Sequence, residues 1–120
     1  MQPTSPDAAF VWDMLRAAED IGQVVQGLGR EEYLHDRIRQ LAVERAVEVL
    51  GEAARQVSAG FQYAHAEIPW RAIVAQRHVL AHDYGRIDQE RLWRVATVHV
   101  PELIAQLLPL VPPPPPPIEE

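Results

Sequence analysis

Five residues suited to acid–base and phosphate chemistry lie in one short segment of the chain, between Arg77 and Tyr84. His78 and His82 are four residues apart, so on a helix they share one face. Arg77 and Tyr84 are seven residues apart and share a second face, about 100–140° away at about 100° per residue. An arginine binds phosphate through two N–H groups, and an imidazole gains and loses a proton near neutral pH. The segment therefore offers side chains suited to reaction at a phosphodiester.

The position of His82 near the end of a predicted helix favours a role in proton transfer. The C-terminal end of a helix carries partial negative charge, which stabilises a protonated histidine. A histidine in that setting can serve as both base and acid. Beside Arg77, it suits attack of a ribose 2′-hydroxyl on the adjacent phosphate, because the arginine offsets charge on the phosphorane. We take Arg77 and His82 as the candidate catalytic residues, with His78 and Asp83 in support.

Two other interpretations of the same residues stay open from spacing alone. His82 could cap its helix or pair with Asp83, as histidines near helix ends often do. His78 and His82 could instead be two metal ligands, with Asp83 or His99 as the third. No other nearby residue offers a third ligand at an obvious spacing, and our prediction therefore includes no metal and no cofactor.

Apolar residues at intervals of three and four predict helices through most of the chain. The first helix follows Pro6, with Ser5 or Asp7 as its cap, and ends at Gly27 and Gly29. Residues 31–34 suggest a short turn. The second helix ends near Gly60, and its predicted core stripe is Ile38, Leu41, Ala42, Val49, Leu50, Ala53 and Val57.

Proline marks the start of the third helix and the interior of the fourth. The third begins at Pro69 and ends at Gly85, and the fourth starts with Asp88 as its cap. Pro101 falls inside the fourth helix and is expected to kink it, because its ring displaces a backbone hydrogen bond. No segment shows the sustained alternation of apolar and polar residues that is typical of a β-strand. We therefore expect an all-α fold, an antiparallel bundle of four to five helices, with a second copy covering any additional apolar face.

A run of six prolines, Pro112–Pro117, separates the helical region from the end of the sequence. Such a run favours an extended left-handed coil without internal hydrogen bonds. We predict one helical domain over residues 1–111 and a disordered proline-rich tail over residues 112–120. The tail could alternatively be a ligand for a proline-binding groove.

Composition excludes several classes of protein. The 120 residues contain no cysteine, which rules out disulfides and thiolate sites. No apolar run approaches the roughly 20 residues that span a bilayer, and no signal segment is recognised, so we expect a cytoplasmic protein without a membrane partner. The net charge of −6 argues against nonspecific coating of nucleic acid. All 11 basic residues are arginine, which an arginine codon bias explains better than phosphate binding does.

Residues 77–84 fit the pattern arginine, four residues, histidine, any residue, tyrosine. This motif resembles that of the HepT-like toxins of the HEPN superfamily, small helical ribonucleases of prokaryotic toxin–antitoxin modules. The flanking residues agree with the resemblance, which covers roughly residues 8–110. They are Leu50-Gly51-Glu52-Ala53-Ala54, Glu67-Ile68-Pro69-Trp70-Arg71, Ile87-Asp88, Leu92-Trp93 and Val100-Pro101-Glu102-Leu103.

The resemblance implies a homodimer in which the motifs of two subunits meet in one cleft and cut RNA without a metal. Carried over, Arg77 binds the scissile phosphate and His82 is the acid–base group. Tyr84 matches the tyrosine to which a cognate nucleotidyltransferase antitoxin attaches AMP, as in a type VII-like toxin–antitoxin system. Added phosphates beside Arg77 would occupy its phosphate site and repel RNA.

The sequence departs from the family pattern at two positions and leaves a second function open. His78 stands where asparagine is common, and Gly85 stands where a larger residue is frequent. The change at Gly85 puts in doubt how a modifying enzyme would grip the loop. The alternative function is a non-catalytic helical module that binds a nucleotidyltransferase and is modified by it.

Overall fold

The computed structural model describes residues 6–82 and 87–111, with the side chains of residues 78–82 left out of the description. All regular structure in these residues is helical, which confirms the predicted all-α class. The α-helices are α1 (Pro6–Val25), α2 (Arg30–Leu34), α3 (Arg37–Gln56), α4 (Ala59–Ala64), α5 (Trp70–His82), α6 (Gln89–Arg94) and α7 (Val100–Leu107). A π-helix (Val95–His99) joins α6 to α7, and a 3₁₀ turn (Leu108–Leu110) follows α7.

Helix α3 occupies the centre of the fold, with α1 and α5 packed against it, and α7 packs against α1. The core is formed by the apolar stripes of these helices, including Met14 and Ile21 of α1 and Val43 and Val47 of α3. Leu107 of α7 completes it from the other side of α1 and is fully buried. This packing fixes the relation of α3 to α5, the helix that carries the motif.

The predicted core stripe of α3 is wrong at Ile38, Leu41, Ala42 and Val49, which are exposed, and correct at its other three positions, which are buried. Ile38 is 76% exposed, Leu41 45% and Val49 38%, whereas Val43 and Val47 are buried. The helix is apolar on two adjacent faces, and periodicity alone does not tell which face meets α1 and α5. The face that includes Val49 is therefore left uncovered by the described part of the chain.

Of the two candidate caps of the first helix, Ser5 lies outside the described residues and Asp7 does not act as a cap. Asp7 is the second residue of α1 rather than its cap. Its carboxylate instead accepts from the Ser58 backbone N–H at 2.8 Å and from the Ser58 hydroxyl at 2.7 Å. Ser58 in turn caps α4 by accepting from the N–H of Phe61. The predicted end of the second helix near Gly60 is wrong, because α3 ends at Gln56 and Gly60 belongs to α4. Sequence periodicity missed α4 because six residues are too few to show an apolar stripe.

The irregularity expected at Pro101 takes the form of the π-helix immediately before it. The N–H of Val100 donates to the carbonyl of Val95, five residues back, and Thr97 Oγ1 donates to the Trp93 carbonyl at 2.8 Å. Pro101 then lies in the first turn of α7, where its missing N–H costs little. Asp88 caps α6 as predicted, through the N–H of Arg91.

The remaining predictions concern the proline-rich tail and the membrane. Residues 112–120, the predicted tail, lie outside the described residues. Within residues 6–82 and 87–111, none of the helices combines the length and the apolar character that crossing a membrane requires.

Candidate active site

Helix α5, which carries Arg77, is anchored at its start by buried aromatic and aliphatic residues. Trp70 is 7% exposed, and its indole Nε1 donates to the carbonyl of His65 at 3.0 Å. Ile68, just before the helix, is fully buried. Pro69 precedes the first turn and accepts from the N–H of Ile73. The start of α5 is therefore held against the core, and the position of Arg77 follows from the direction of the helix.

Gly51 is the point of closest approach between α3 and α5. A Cβ atom added at Gly51 would lie 2.3 Å from the Cβ of Arg77 and 3.2 Å from the carbonyl oxygen of Ile73. Real Cβ atoms do not approach that closely, so only glycine permits this packing. The contact places the base of the Arg77 side chain directly on α3.

The guanidinium of Arg77 lies in a cluster with Glu52 and Arg55, which we call the arginine cluster. Arg77 Nη2 donates to Glu52 Oε1 at 3.3 Å. The other oxygen of Glu52, Oε2, accepts from Arg55 Nε at 2.9 Å and lies 2.8 Å from Arg55 Nη2. One carboxylate thus bridges two guanidinium groups from two helices, and the three side chains together carry a charge of +1.

Arg77 and Glu52 also line a groove of about 800 Å³ between α1 and α3. The apolar part of its wall consists of four alanines, two valines and Phe10. The charged part has both signs, with Asp13, Asp20, Glu48 and Glu52 against Arg16, Arg45 and Arg77. The Arg77 side chain is one-third exposed, so an anion entering this groove could reach its guanidinium.

The other predicted site residues are only partly located. His78 and His82 belong to α5, but their side chains are outside the described set, and Asp83 and Tyr84 lie outside the described residues altogether. His99, the more distant candidate metal ligand, is exposed and lies on the π-helix. Among the described residues, no group of three or more histidine, aspartate or glutamate side chains is arranged to hold a metal.

Comparison with known proteins places the chain in a family. The family model described as Ribonuclease HepT-like matches residues 14–110. The chain belongs to the HepT-like ribonuclease family. This confirms the resemblance seen in residues 77–84 and their flanks.

Three relatives agree with the membership. A protein of Thermococcus cleftensis named as a candidate ribonuclease HepT is 34% identical over 94 residues, 78% of this chain and 86% of the relative. Two proteins of Methanocaldococcus jannaschii are named as candidate RNases. The first is 32% identical over 95 residues, which cover 79% of this chain and 87% of the relative. The second is 30% identical over 105 residues, which cover 88% of this chain and 87% of the relative. No solved structure matches significantly.

In this HepT-like protein, Gly51 and Glu52 contact Arg77 and Arg55 shares the Glu52 carboxylate with it, and the sequence pattern assigned these three residues no role. An isolated glycine in the middle of an apolar helix is a signal of close packing, and Gly51 has that signal. The link from Glu52 to Arg77 spans 25 residues of sequence and could be found only once α3 and α5 were packed.

Proposed function

We propose that this protein is a metal-independent endoribonuclease toxin in which Arg77 binds the scissile phosphate and His82 transfers the protons. His82 takes the proton of the ribose 2′-hydroxyl, whose oxygen attacks the phosphorus. The bond from phosphorus to the 5′-oxygen then breaks, and that oxygen receives a proton from an imidazolium. Arg77 stabilises the charge that develops on the phosphorane. The products are a 2′,3′-cyclic phosphate and a free 5′-hydroxyl.

The observation that carries the proposal is the setting of Arg77 in a chain of the HepT-like ribonuclease family. Its guanidinium lies at the wall of a groove, partly exposed, on the same helix as His82. Helix packing at Gly51 and the bond to Glu52 hold it in place. A guanidinium that is positioned in advance stabilises transition-state charge without first having to be ordered. Single-stranded RNA loops are the expected substrate, since their backbone and bases are accessible.

We propose further that the protein acts as a homodimer, with a second copy seated on the groove between α1 and α3. The residues lining the groove recur every three or four positions on both helices, which suits packing of another helix. The small members let helices approach closely, and the mixed charges suit a self-complementary interface. The small residues that line the groove are Ala17, Val24, Ala42, Ala46, Val49 and Ala53. Because Arg77 lines the same groove, two copies would bring their arginines near one cleft.

Regulation by a nucleotidyltransferase is the remaining part of the proposal and rests on family membership and the match at Tyr84. Attachment of AMP to Tyr84 would add negative charge seven residues from Arg77, and the phosphates would compete with RNA for the guanidinium. The setting would be the cytoplasm, where RNA and such a partner are both present. The intact mass of the protein, made with and without its nucleotidyltransferase partner, reports the modification. A mass gain that persists in Tyr84→Phe would contradict the assignment.

Cleavage of a structured RNA in the presence of EDTA tests the enzymatic proposal. Wild-type protein should give ends with 2′,3′-cyclic phosphate, and Arg77→Ala and His82→Ala should each lose that product by at least about 100-fold, the scale of a lost acid–base group. Both variants should keep the helicity of the wild type by circular dichroism. Undiminished cleavage in His82→Ala would reject the mechanism. Absence of cleavage by the wild type, together with binding to a nucleotidyltransferase, would favour the non-catalytic module.

Light scattering tests the dimer. Ala46→Glu places a charge in the groove between α1 and α3 and should give a monomer that no longer cleaves RNA. Ala105→Glu, at an exposed alanine of α7, is the matched control and should remain a dimer. A dimer that survives Ala46→Glu unchanged would place the interface elsewhere.

A further inference from the structure

The guanidinium of Arg55 is bonded to the same carboxylate as the guanidinium of Arg77. The Arg55 guanidinium contacts one oxygen of Glu52 through two nitrogen atoms, at 2.9 and 2.8 Å, while the other oxygen of Glu52 accepts from Arg77. Arg55 and Arg77 are 22 positions apart and on different helices, yet both lie within 3.3 Å of the same carboxylate.

Most arginines paired with a glutamate three residues away on a helix surface lie in solvent, and the pair contributes little to stability. The pair of Arg45 and Glu48 on the same helix is of that kind, with a single N–O distance of 4.0 Å. Glu52 differs because its carboxylate also accepts a hydrogen bond from a second arginine, Arg77. The guanidinium of Arg55 is therefore held beside that of Arg77 by a shared carboxylate, although its side chain is half exposed.

Both guanidinium groups keep donors for another acceptor. A guanidinium has five N–H donors. Arg55 bonds Glu52 through Nε and Nη2, and Arg77 does so through Nη2 alone. Among the described residues neither has a further hydrogen-bond acceptor, and their side chains are 53% and 33% exposed.

The position of Arg55 relative to the groove also favours access. Arg77 and Glu52 line the groove between α1 and α3, whereas Arg55 is not among the lining residues. It is adjacent in the sequence to Gln56, the last lining residue of α3, and its guanidinium is bonded to the lining residue Glu52. A second copy seated in the groove would leave Arg55 at the rim, where a strand leaving the cleft would pass.

We propose that Arg55 is a second phosphate-binding residue, which contacts a phosphate next to the one bound by Arg77 on the same RNA strand. This inference rests on the proposed ribonuclease function and assigns it a second phosphate contact. Glu52 holds the two guanidinium groups side by side and neutralises one of their two charges, so that the cluster keeps a net charge of +1. The ligand recognised is a single-stranded phosphodiester chain rather than an isolated phosphate.

The test is the salt dependence of RNA binding in the His82→Ala background, where bound RNA would not be cut. The association constant for a short single-stranded oligoribonucleotide is measured at several salt concentrations. Each phosphate contact contributes about 0.7 to the slope of log K against log salt for a single strand. Addition of Arg55→Ala should therefore reduce the slope by about 0.7 and weaken binding. In otherwise wild-type protein, Arg55→Ala should raise KM by a larger factor than it lowers kcat.

Arg39→Ala is the matched control. Arg39 is also on α3 and pairs with a carboxylate three residues away, Asp36, at 3.0 Å. The control removes the same charge, but Asp36 makes no contact with Arg77, so the slope should stay at the value of the parent. Melting curves of both variants check that the fold is retained.

The outcomes separate this inference from the proposed function. Equal slopes for the Arg55→Ala and Arg39→Ala proteins, with cleavage by the wild type intact, would overturn the second contact alone. Absence of RNA binding by the His82→Ala protein would overturn it as well. Absence of cleavage by the wild type, with a slope reduced only by Arg55→Ala, would reject the nuclease and leave the phosphate contact standing.

Discussion

Two clusters of polar side chains join α3 to other helices, and they differ in how deeply their shared glutamate is buried. In the first, buried Tyr33 donates through its hydroxyl to Gln89 Oε1 at 2.8 Å, and Gln89 Nε2 donates to Glu44 at 2.6 Å. Glu44 also accepts from Arg37 at 3.1 Å, and Gln40 donates to the carbonyl of Tyr33 at 3.0 Å. The second is the arginine cluster.

The first cluster is closed and the second is open. The side chain of Glu44 is 13% exposed and that of Glu52 is 42% exposed, although both are glutamates of the same helix that accept from an arginine. In the closed cluster the Tyr33 hydroxyl and the Gln89 amide donate within the fold around a nearly buried carboxylate, and Arg37 lies at its edge with a side chain 63% exposed, so the cluster serves stability. The open cluster leaves guanidinium donors facing solvent beside a groove, so it can serve a ligand. Burial of the shared carboxylate, more than residue type, distinguishes the two clusters.

The largest effect should come from filling the contact that supports the open cluster. Gly51→Ala places a methyl group 2.3 Å from the Cβ of Arg77, so α3 and α5 must separate. Overpacking of this kind costs about 1–3 kcal/mol of unfolding free energy, and displacement of Arg77 should also reduce RNA cleavage. Urea denaturation and the cleavage assay measure the two effects.

Gly22→Ala is the control for that change. Gly22 is also in a helix interior, and a Cβ there meets nothing within 4 Å. Alanine should therefore raise stability by about 0.5–1 kcal/mol, because it lowers the conformational entropy of the unfolded chain. If both alanines had the same effect, the close approach of α3 to α5 at Gly51 would be contradicted.

The same substitution at the two glutamates tests the comparison directly. Glu44→Ala removes the acceptor of Gln89 and Arg37 in a nearly buried site and should lower the unfolding free energy by about 1–3 kcal/mol. Glu52→Ala removes an exposed partner and should change it by less than about 1 kcal/mol, while RNA cleavage falls. Urea denaturation gives the stability terms. Equal losses of stability at the two positions would mean that the open cluster is also part of the scaffold.

The smallest effect is a pH dependence of the closed cluster. Burial raises the pKa of Tyr33 well above its ordinary value of 10.0, and the nearby charge of Glu44 raises it further, while Arg37 lowers it. Because the folded protein favours the neutral phenol, this contribution to stability is complete below pH 10.0 and declines as the pH rises above it.

Tyr33→Phe should remove that alkaline decline and lower stability at neutral pH by about 0.5–1.5 kcal/mol, the net contribution of one hydrogen bond. Urea denaturation of both proteins at neutral pH and above pH 10 measures the difference, and RNA cleavage at neutral pH should be unchanged. A wild-type protein whose stability falls no faster than that of Tyr33→Phe above pH 10 would contradict the raised pKa.

Much of the fold was readable from local patterns. Apolar spacing predicted four long helical segments, and Asp88 was recognised as a cap because its effect involves only neighbouring residues. The faces of α3 could not be assigned, since Val47 and Val49 are equally apolar and differ only in what packs on them. The short helix α4 was missed for lack of a period.

The linear order of residues was enough to establish the helical class, the run of motif residues from Arg77 to Tyr84 and membership of a ribonuclease family. These depend on spacing and side-chain type, which are local properties. Only the tertiary packing of α3 on α5 decided that Gly51 lies against Arg77 and that Glu52 bridges Arg77 to Arg55. Such contacts join residues far apart in sequence, and they exist only after the apolar faces of separate helices have been buried together.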